Sequence, residues 1–223
     1  MNFGLSTHCT SANFLPSLSA AVSEEQPQRG TWLVAIGISS LLRLALIPSV
    51  MASYLVTFGR ILGRAYCVGI RFLFMMNFAE ITFLLLMSSI SSSSNYVEAH
   101  RNTLAVFVLM SVLFMTLDSA LFCLLAEHTG NSYLRRQSRI KRKLLIAYSF
   151  TLLVLATAYF VHTCYCPPYV YSLFSFFEYI AIFLNVAYHF VMLGVVHQKP
   201  IRSLLDFPIS GEFFLFYDAL LPQ

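Results

Sequence analysis

HTCYCPPYVYSLFSFFEYIAIFLNVAYH, residues 162–189, decides the fold. After Pro168 no proline interrupts it, and the apolar run continues to Val196. That is long enough to cross a bilayer, which takes about 20 apolar residues. Its polar residues are ordered: Tyr171, Glu178, Asn185 and His189 follow at steps of seven, seven and four, which puts them on one stripe of a helix. A carboxyl group facing hydrocarbon costs roughly 2.5 kcal/mol or more on insertion scales. The stripe therefore faces inward, and other helices must supply its neighbours.

Four further runs meet the length requirement: residues 32–58, interrupted by Arg43 and Pro48; 68–90, with Arg71, Asn77 and Glu80; 103–126, with Asp118; and 144–162, with no charge inside. The last span is 169–196. The expected class is all-α, a polytopic transmembrane bundle of five spans. Residues 1–30 read as a polar N-terminal loop, 31–196 as the bundle and 197–223 as a tail whose apolar Phe213–Tyr217 stretch lies on a membrane surface. Composition agrees: 58% of the 223 residues are hydrophobic and 11% charged, against about 25% charged in soluble domains. Mean hydropathy is +0.72. The start of the chain has no basic stretch leading into an apolar run, so it does not read as a secretory signal peptide.

Loop charge sets the expected orientation. Arg135, Arg136, Arg139, Lys141, Arg142 and Lys143 fall between spans three and four, with Arg60 and Arg64 between one and two. The opposite loops carry one Arg and none. By the positive-inside rule the basic loops are cytosolic, residues 1–30 lumenal or extracellular, and the tail cytosolic. The net charge of +4 is concentrated in one short stretch, an orientation signal beside anionic lipid and no sign of nucleic-acid binding.

On this topology Cys9, Cys164 and Cys166 share an oxidising side. It allows a disulfide between the N-terminal loop and the entry of the last helix, most simply Cys9 with Cys166; the alternative is free thiols. His8, His100 and His162 share that side with Glu98. They are residue types suited to metal binding or general-base work, but no short ligand spacing joins them. The blander assignment, backbone or headgroup hydrogen bonding, weighs more, and no metal is expected. A Gly-x-Ser-x-Gly elbow, His-Glu-x-x-His and a phosphate-binding glycine loop are all lacking, which excludes those mechanisms and leaves catalysis itself open.

Counting at 1.5 Å per residue from the lumenal end of each span, Arg43, Glu80 and Glu178 come out near the midplane of a ~30 Å core. Asn185 and His189 come out deeper on the same stripe. The five form a candidate intramembrane polar pocket for a lipid headgroup or for proton transfer. The bland alternative is a charge cluster that only holds helices together.

Several stretches carry a resemblance: Thr7-His8-Cys9 with Asn13-Phe14-Leu15-Pro16-Ser17; Pro27-Gln28-Arg29 leading into Trp32; Arg43; Asn77-x-x-Glu80; the serine run with His100-x-Asn102; and His162, Tyr165-Cys166, Tyr171, Glu178-Tyr179, Asn185 and His189. Together they resemble the post-GPI attachment to proteins factor two family, within the wider Frag/DRAM/Sfk-type membrane proteins. The resemblance implies a multi-pass protein of the Golgi or ER membrane that acts in glycosylphosphatidylinositol (GPI) anchor remodelling. The implied step restores a saturated fatty acid to lyso-GPI, with this chain as the enzyme or as a lipid-presenting partner. It implies membrane lipid and GPI-anchored proteins as clients, leaves room for other remodelling enzymes as partners, and calls for no cofactor. Family members usually carry one more transmembrane helix before the Thr-His-Cys loop, so a shortened form is expected here. Asp118 and the apolar tail lie outside the family pattern. Competing readings are a transporter or channel, for which charges inside spans are equally typical, and a non-catalytic scaffold.

Overall fold

The computed structural model describes residues 9, 11–23, 26–63, 65–92 and 95–196. His8 and the tail 197–223 lie outside them. Among the described residues there is a one-turn helix α1 (Leu18–Ala21) and five long helices: α2 (Gln28–Leu62), α3 (Ala65–Ser89), α4 (Val97–Thr129), α5 (Ser132–Tyr165) and α6 (Val170–Val196). All five are long and apolar enough to cross a membrane. The chain is a multi-pass, all-α membrane protein.

Short connections make successive helices antiparallel neighbours. Gly63 (φ 89°) turns the chain between α2 and α3, and Gly130 (φ 64°) sits in the left-handed region that ends α4. Asn131 then starts α5, its side chain accepting from the amides of Tyr133 and Leu134. Cys166 (φ 51°) and Tyr169 (φ 66°) flank Pro167-Pro168 at the turn into α6. α5 packs most extensively on α6, and α3 on both α2 and α4.

The core is a continuous cluster that includes Tyr54, Ile70, Leu73, Phe114, Met115, Phe122, Tyr148 and Tyr188. Outward-facing positions are equally apolar, Phe72, Phe150, Leu153, Phe183 and Phe190 among them. On a soluble protein so much exposed apolar surface is a liability. In a bilayer those side chains meet a solvent as apolar as themselves.

The helices run beyond the expected spans at most ends, α4 for example starting at Val97 against an expected 103. α2 begins at Gln28, ahead of the predicted start. The stretch 135–143, predicted as a loop, is helical, because α4 and α5 each run past the hydrocarbon limits and leave Gly130 and Asn131 between them. The basic residues therefore ride on the first turns of α5, and one of them, Lys141, is fully buried.

Cys9 and residues 11–23, the capping segment, lie across the opposite end of the bundle. A disulfide joins Cys9 to Cys166, 157 residues apart in sequence. The Tyr169 amide donates to the Ala12 carbonyl (2.9 Å) and the amides of Phe14 and Leu15 to Ser172 Oγ (2.9 and 3.1 Å). Ser91 Oγ and Ser92 Oγ donate to the carbonyls of Ser23 and Ser19. Arg29 donates to the carbonyls of Ser23 and Ser89, so α2, α3 and the segment share one cation. This end is the capped end below, and the end bearing 135–143 the basic end.

Candidate functional site

The α6 stripe turns inward along its whole length. Tyr171 O–H donates to Ser17 Oγ (3.1 Å). Glu178 receives the Leu18 amide on Oε2 (2.8 Å) and the Ser19 hydroxyl on Oε1 (3.0 Å). Asn185 Nδ2 donates to Glu80 Oε1 (2.9 Å) and Ser111 Oγ (2.7 Å), crossing from α6 to α3 and α4. His189 stacks face to face on Phe114, ring centroids 5.2 Å apart.

Below Asn185 three charge-bearing groups converge. Glu80, fully buried, has Oε1 2.9 Å from His189 Nε2, and Arg43 Nη2 lies 3.4 Å from Oε2. Arg43 Nη2 is also 2.8 Å from His189 Nε2. A guanidinium can only donate and a carboxylate can only accept. One imidazole nitrogen cannot accept from the first and donate to the second at once. With its proton on Nε2 the ring pairs with Glu80; without it the ring pairs with Arg43. Protonation at Nε2 therefore decides which partner the ring binds, an arrangement suited to an acid–base group. A void of about 10 Å³ beside Arg43, Asn77 and His189 is the size of one water position.

The expectation that Glu178 joins Arg43 and Glu80 is corrected. The depth count assumed level helix ends, and they are not level. Ser92, three residues past the end of α3, reaches Ser19, the residue that Glu178 binds, so Glu178 lies at the height of the α3 terminus. Glu80 lies nine residues farther in, about 14 Å by helical rise.

Between the two layers lies a cavity of about 180 Å³. Arg43 and Asn185 line its deep end, and Ser19, His100 and Glu178 the capped end, with apolar walls including Phe107, Leu152 and Leu155 between them. Arg43, Glu178 and Asn185 thus border one space without touching as a triad.

Of the three histidines expected on the lumenal side, His8 lies outside the described residues, and the other two have separate surroundings. His100 Nδ1 donates to the Ile90 carbonyl (3.0 Å), and His162 is buried beneath the disulfide with its ring against Tyr171. Among the described residues no three His, Cys, Asp or Glu side chains group as metal ligands.

Sequence reasoning missed a second buried network toward the basic end. Lys141 Nζ donates to Asp118 Oδ2 (2.7 Å) and to Tyr54 Oη (3.1 Å), and Tyr54 donates to Asp118 Oδ1 (2.9 Å). Tyr188 O–H lies 2.9 Å from Asp118 Oδ2, and the ammonium sits 3.6 Å from the centre of the Phe122 ring. Four helices meet there. A lone carboxylate mid-span demands a cation, and Leu134, Ser138, Lys141, Leu145 and Tyr148 fall on one helical stripe. Those were the signals available.

Comparison with known proteins gives a consistent result. The chain is 33% identical to "Acyltransferase PGAP2" of Xenopus tropicalis, over 82% of this chain and 71% of that one. It is 33% identical to "Post-GPI attachment to proteins factor 2" of Caenorhabditis elegans (88% and 75%) and 31% to the Caenorhabditis briggsae protein of the same name (92% and 78%). No solved structure matches. Residues 4–194 match the model of the Frag1/DRAM/Sfk1/Cwh43P N-terminal domain, and the chain belongs to that family.

Proposed function

We propose that this protein acts in lipid remodelling of GPI anchors, at the step that restores a saturated fatty acid to lyso-GPI. It does so in the Golgi membrane, with a share in the ER, on GPI-anchored proteins as clients and beside other remodelling enzymes. The names of its relatives support the reading. The observation that carries it is a largely apolar cavity inside the spans whose deep end, lined by Arg43 and Asn185, backs onto the buried Glu80–His189 pair. An acyl chain needs such walls, and a hydroxyl that accepts an acyl group must lose a proton to a base. Glu80 and His189 are the base candidates of this cavity: Glu80 lies one hydrogen bond behind Asn185, and His189 one contact behind Arg43.

The test compares cells lacking the protein with cells re-expressing it intact or as Glu80→Gln. Loss should deplete the saturated chain in anchors released from GPI-anchored proteins and lower their surface staining; the intact protein should restore both and Glu80→Gln should not. Anchor lipids unchanged by the knockout, as read by mass spectrometry, rule the function out.

The same reading turns the capped end to the lumen, as loop charge favours. A cytosolic capped end would keep Cys9 and Cys166 reduced. Protein alkylated in intact cells should therefore yield Cys9 and Cys166 as one disulfide-linked peptide pair. Both recovered as alkylated thiols would reverse the orientation.

A further inference from the structure

The cavity is not sealed evenly. Of the residues that line it, three are exposed on the outside of the bundle: Ser39 on α2 and Ile182 and Val186 on α6. All three flank one seam. Its polar cross-link, Arg43 to His189, lies one turn deeper, at i+4 from Ser39 and i+3 from Val186. α2 and α6 touch little elsewhere, since α2 is held mainly by α3. The opening is therefore bounded by the capping segment above and by the Arg43–His189 contact below.

We infer that this seam is a lateral portal through which one acyl chain of a membrane lipid enters the cavity from the leaflet at the capped end. The portal opens onto hydrocarbon, because Ser39 and Val186 sit well inside membrane-spanning helices. The lining runs along α6 from Phe174 to Val186, about 18 Å by helical rise. One leaflet of a ~30 Å core is about 15 Å deep, so a chain lying along the cavity stays at its own depth. Volume decides how many chains. The cavity, about 180 Å³, is close in volume to the ~150 Å³ apolar void that takes one benzene. It holds the far segment of a single chain, with the near segment in the seam, and excludes a two-chain lipid body. Sliding in by this route, the chain passes beside Arg43 before it reaches Asn185.

The inference rests on the reading above only in taking the cavity for the lipid site, and its test does not use GPI. The full chain is placed in phosphatidylcholine vesicles doped with phosphatidylcholine whose acyl chain carries a diazirine. After irradiation, adducts are mapped by mass spectrometry. Leu153 and Phe190, which face outward, report ordinary lipid contact and an intact fold. Inward-facing Leu152, Leu155 and Ala181 report chain entry. Expected are adducts at both sets in the native chain, with the inward set reduced several-fold in Val186→Trp and in Ser39→Trp while the outward set holds. Inward adducts missing from the native chain, or undiminished in both variants, overturn the portal. Inward labelling together with unchanged anchor lipids in knockout cells would keep the portal and remove the GPI function.

Discussion

Replacing Lys141 with Met should destabilise the protein by about 3–5 kcal/mol, the range for stripping one partner from a buried ion pair. Lys141 and Asp118 are both fully buried, and their contact is 2.7 Å. Without the ammonium, Asp118 keeps the hydroxyls of Tyr54 and Tyr188 but no positive charge, and no water reaches it at low cost. Asp118→Asn strands the cation instead. It keeps the Phe122 ring, whose attraction of roughly 0.5–2 kcal/mol does not offset the loss. The double variant Asp118→Asn/Lys141→Met should be far milder than the sum of the two, because neither charge then has to be desolvated. Thermal unfolding of the detergent-purified set measures it. Additive losses would mean the pair is not an energetic unit. Because Tyr188 and His189 are adjacent on α6 and both pack on Phe114, a slackened Asp118 network should also loosen the Glu80 site.

The contrast between the two polar layers explains what was legible in the sequence. Five spans and an inward stripe on α6 could be read directly, since hydrocarbon penalises each misplaced polar group and a helix repeats every 3.6 residues. That Glu80 meets Arg43 also followed from pairing charges at similar depth. Glu178 went astray because depth was counted from helix ends, and end height is set by loop packing. Residues 11–23 lie between α6 and Ser91-Ser92, and no pattern within any one helix encodes that. Lys141 was hidden for a different reason. Among Arg135, Arg136, Arg139, Arg142 and Lys143 it reads as one more positive charge at a membrane surface, and its burial depends on a facing Asp118 that is distant in sequence.

Those two layers can be told apart by one substitution and two second-site changes. Arg43→Leu should cost about 3 kcal/mol, the low end for breaking a buried pair, because Arg43 keeps some exposure and Glu80 retains His189 and Asn185. Adding Glu80→Gln should recover much of that loss, since the stranded carboxylate is then gone. His189 would keep a neutral acceptor at the Oε1 position. Adding Glu178→Gln should recover nothing: its carboxylate binds Leu18 and Ser19 and does not touch Arg43. Glu178→Gln and Arg43→Leu should therefore combine additively, within about 0.5 kcal/mol. Its own cost should appear as easier proteolysis within residues 9–23, because it weakens the hold of α6 on the capping segment. Protein level and unfolding temperature of the four variants carry the comparison. Rescue of Arg43→Leu by Glu178→Gln as strong as by Glu80→Gln would merge the layers into one site and restore the triad expected from depth alone. Rescue by Glu80→Gln alone leaves two devices in one cavity: a carboxylate that fastens its roof, and a deeper acid–base trio beside the seam.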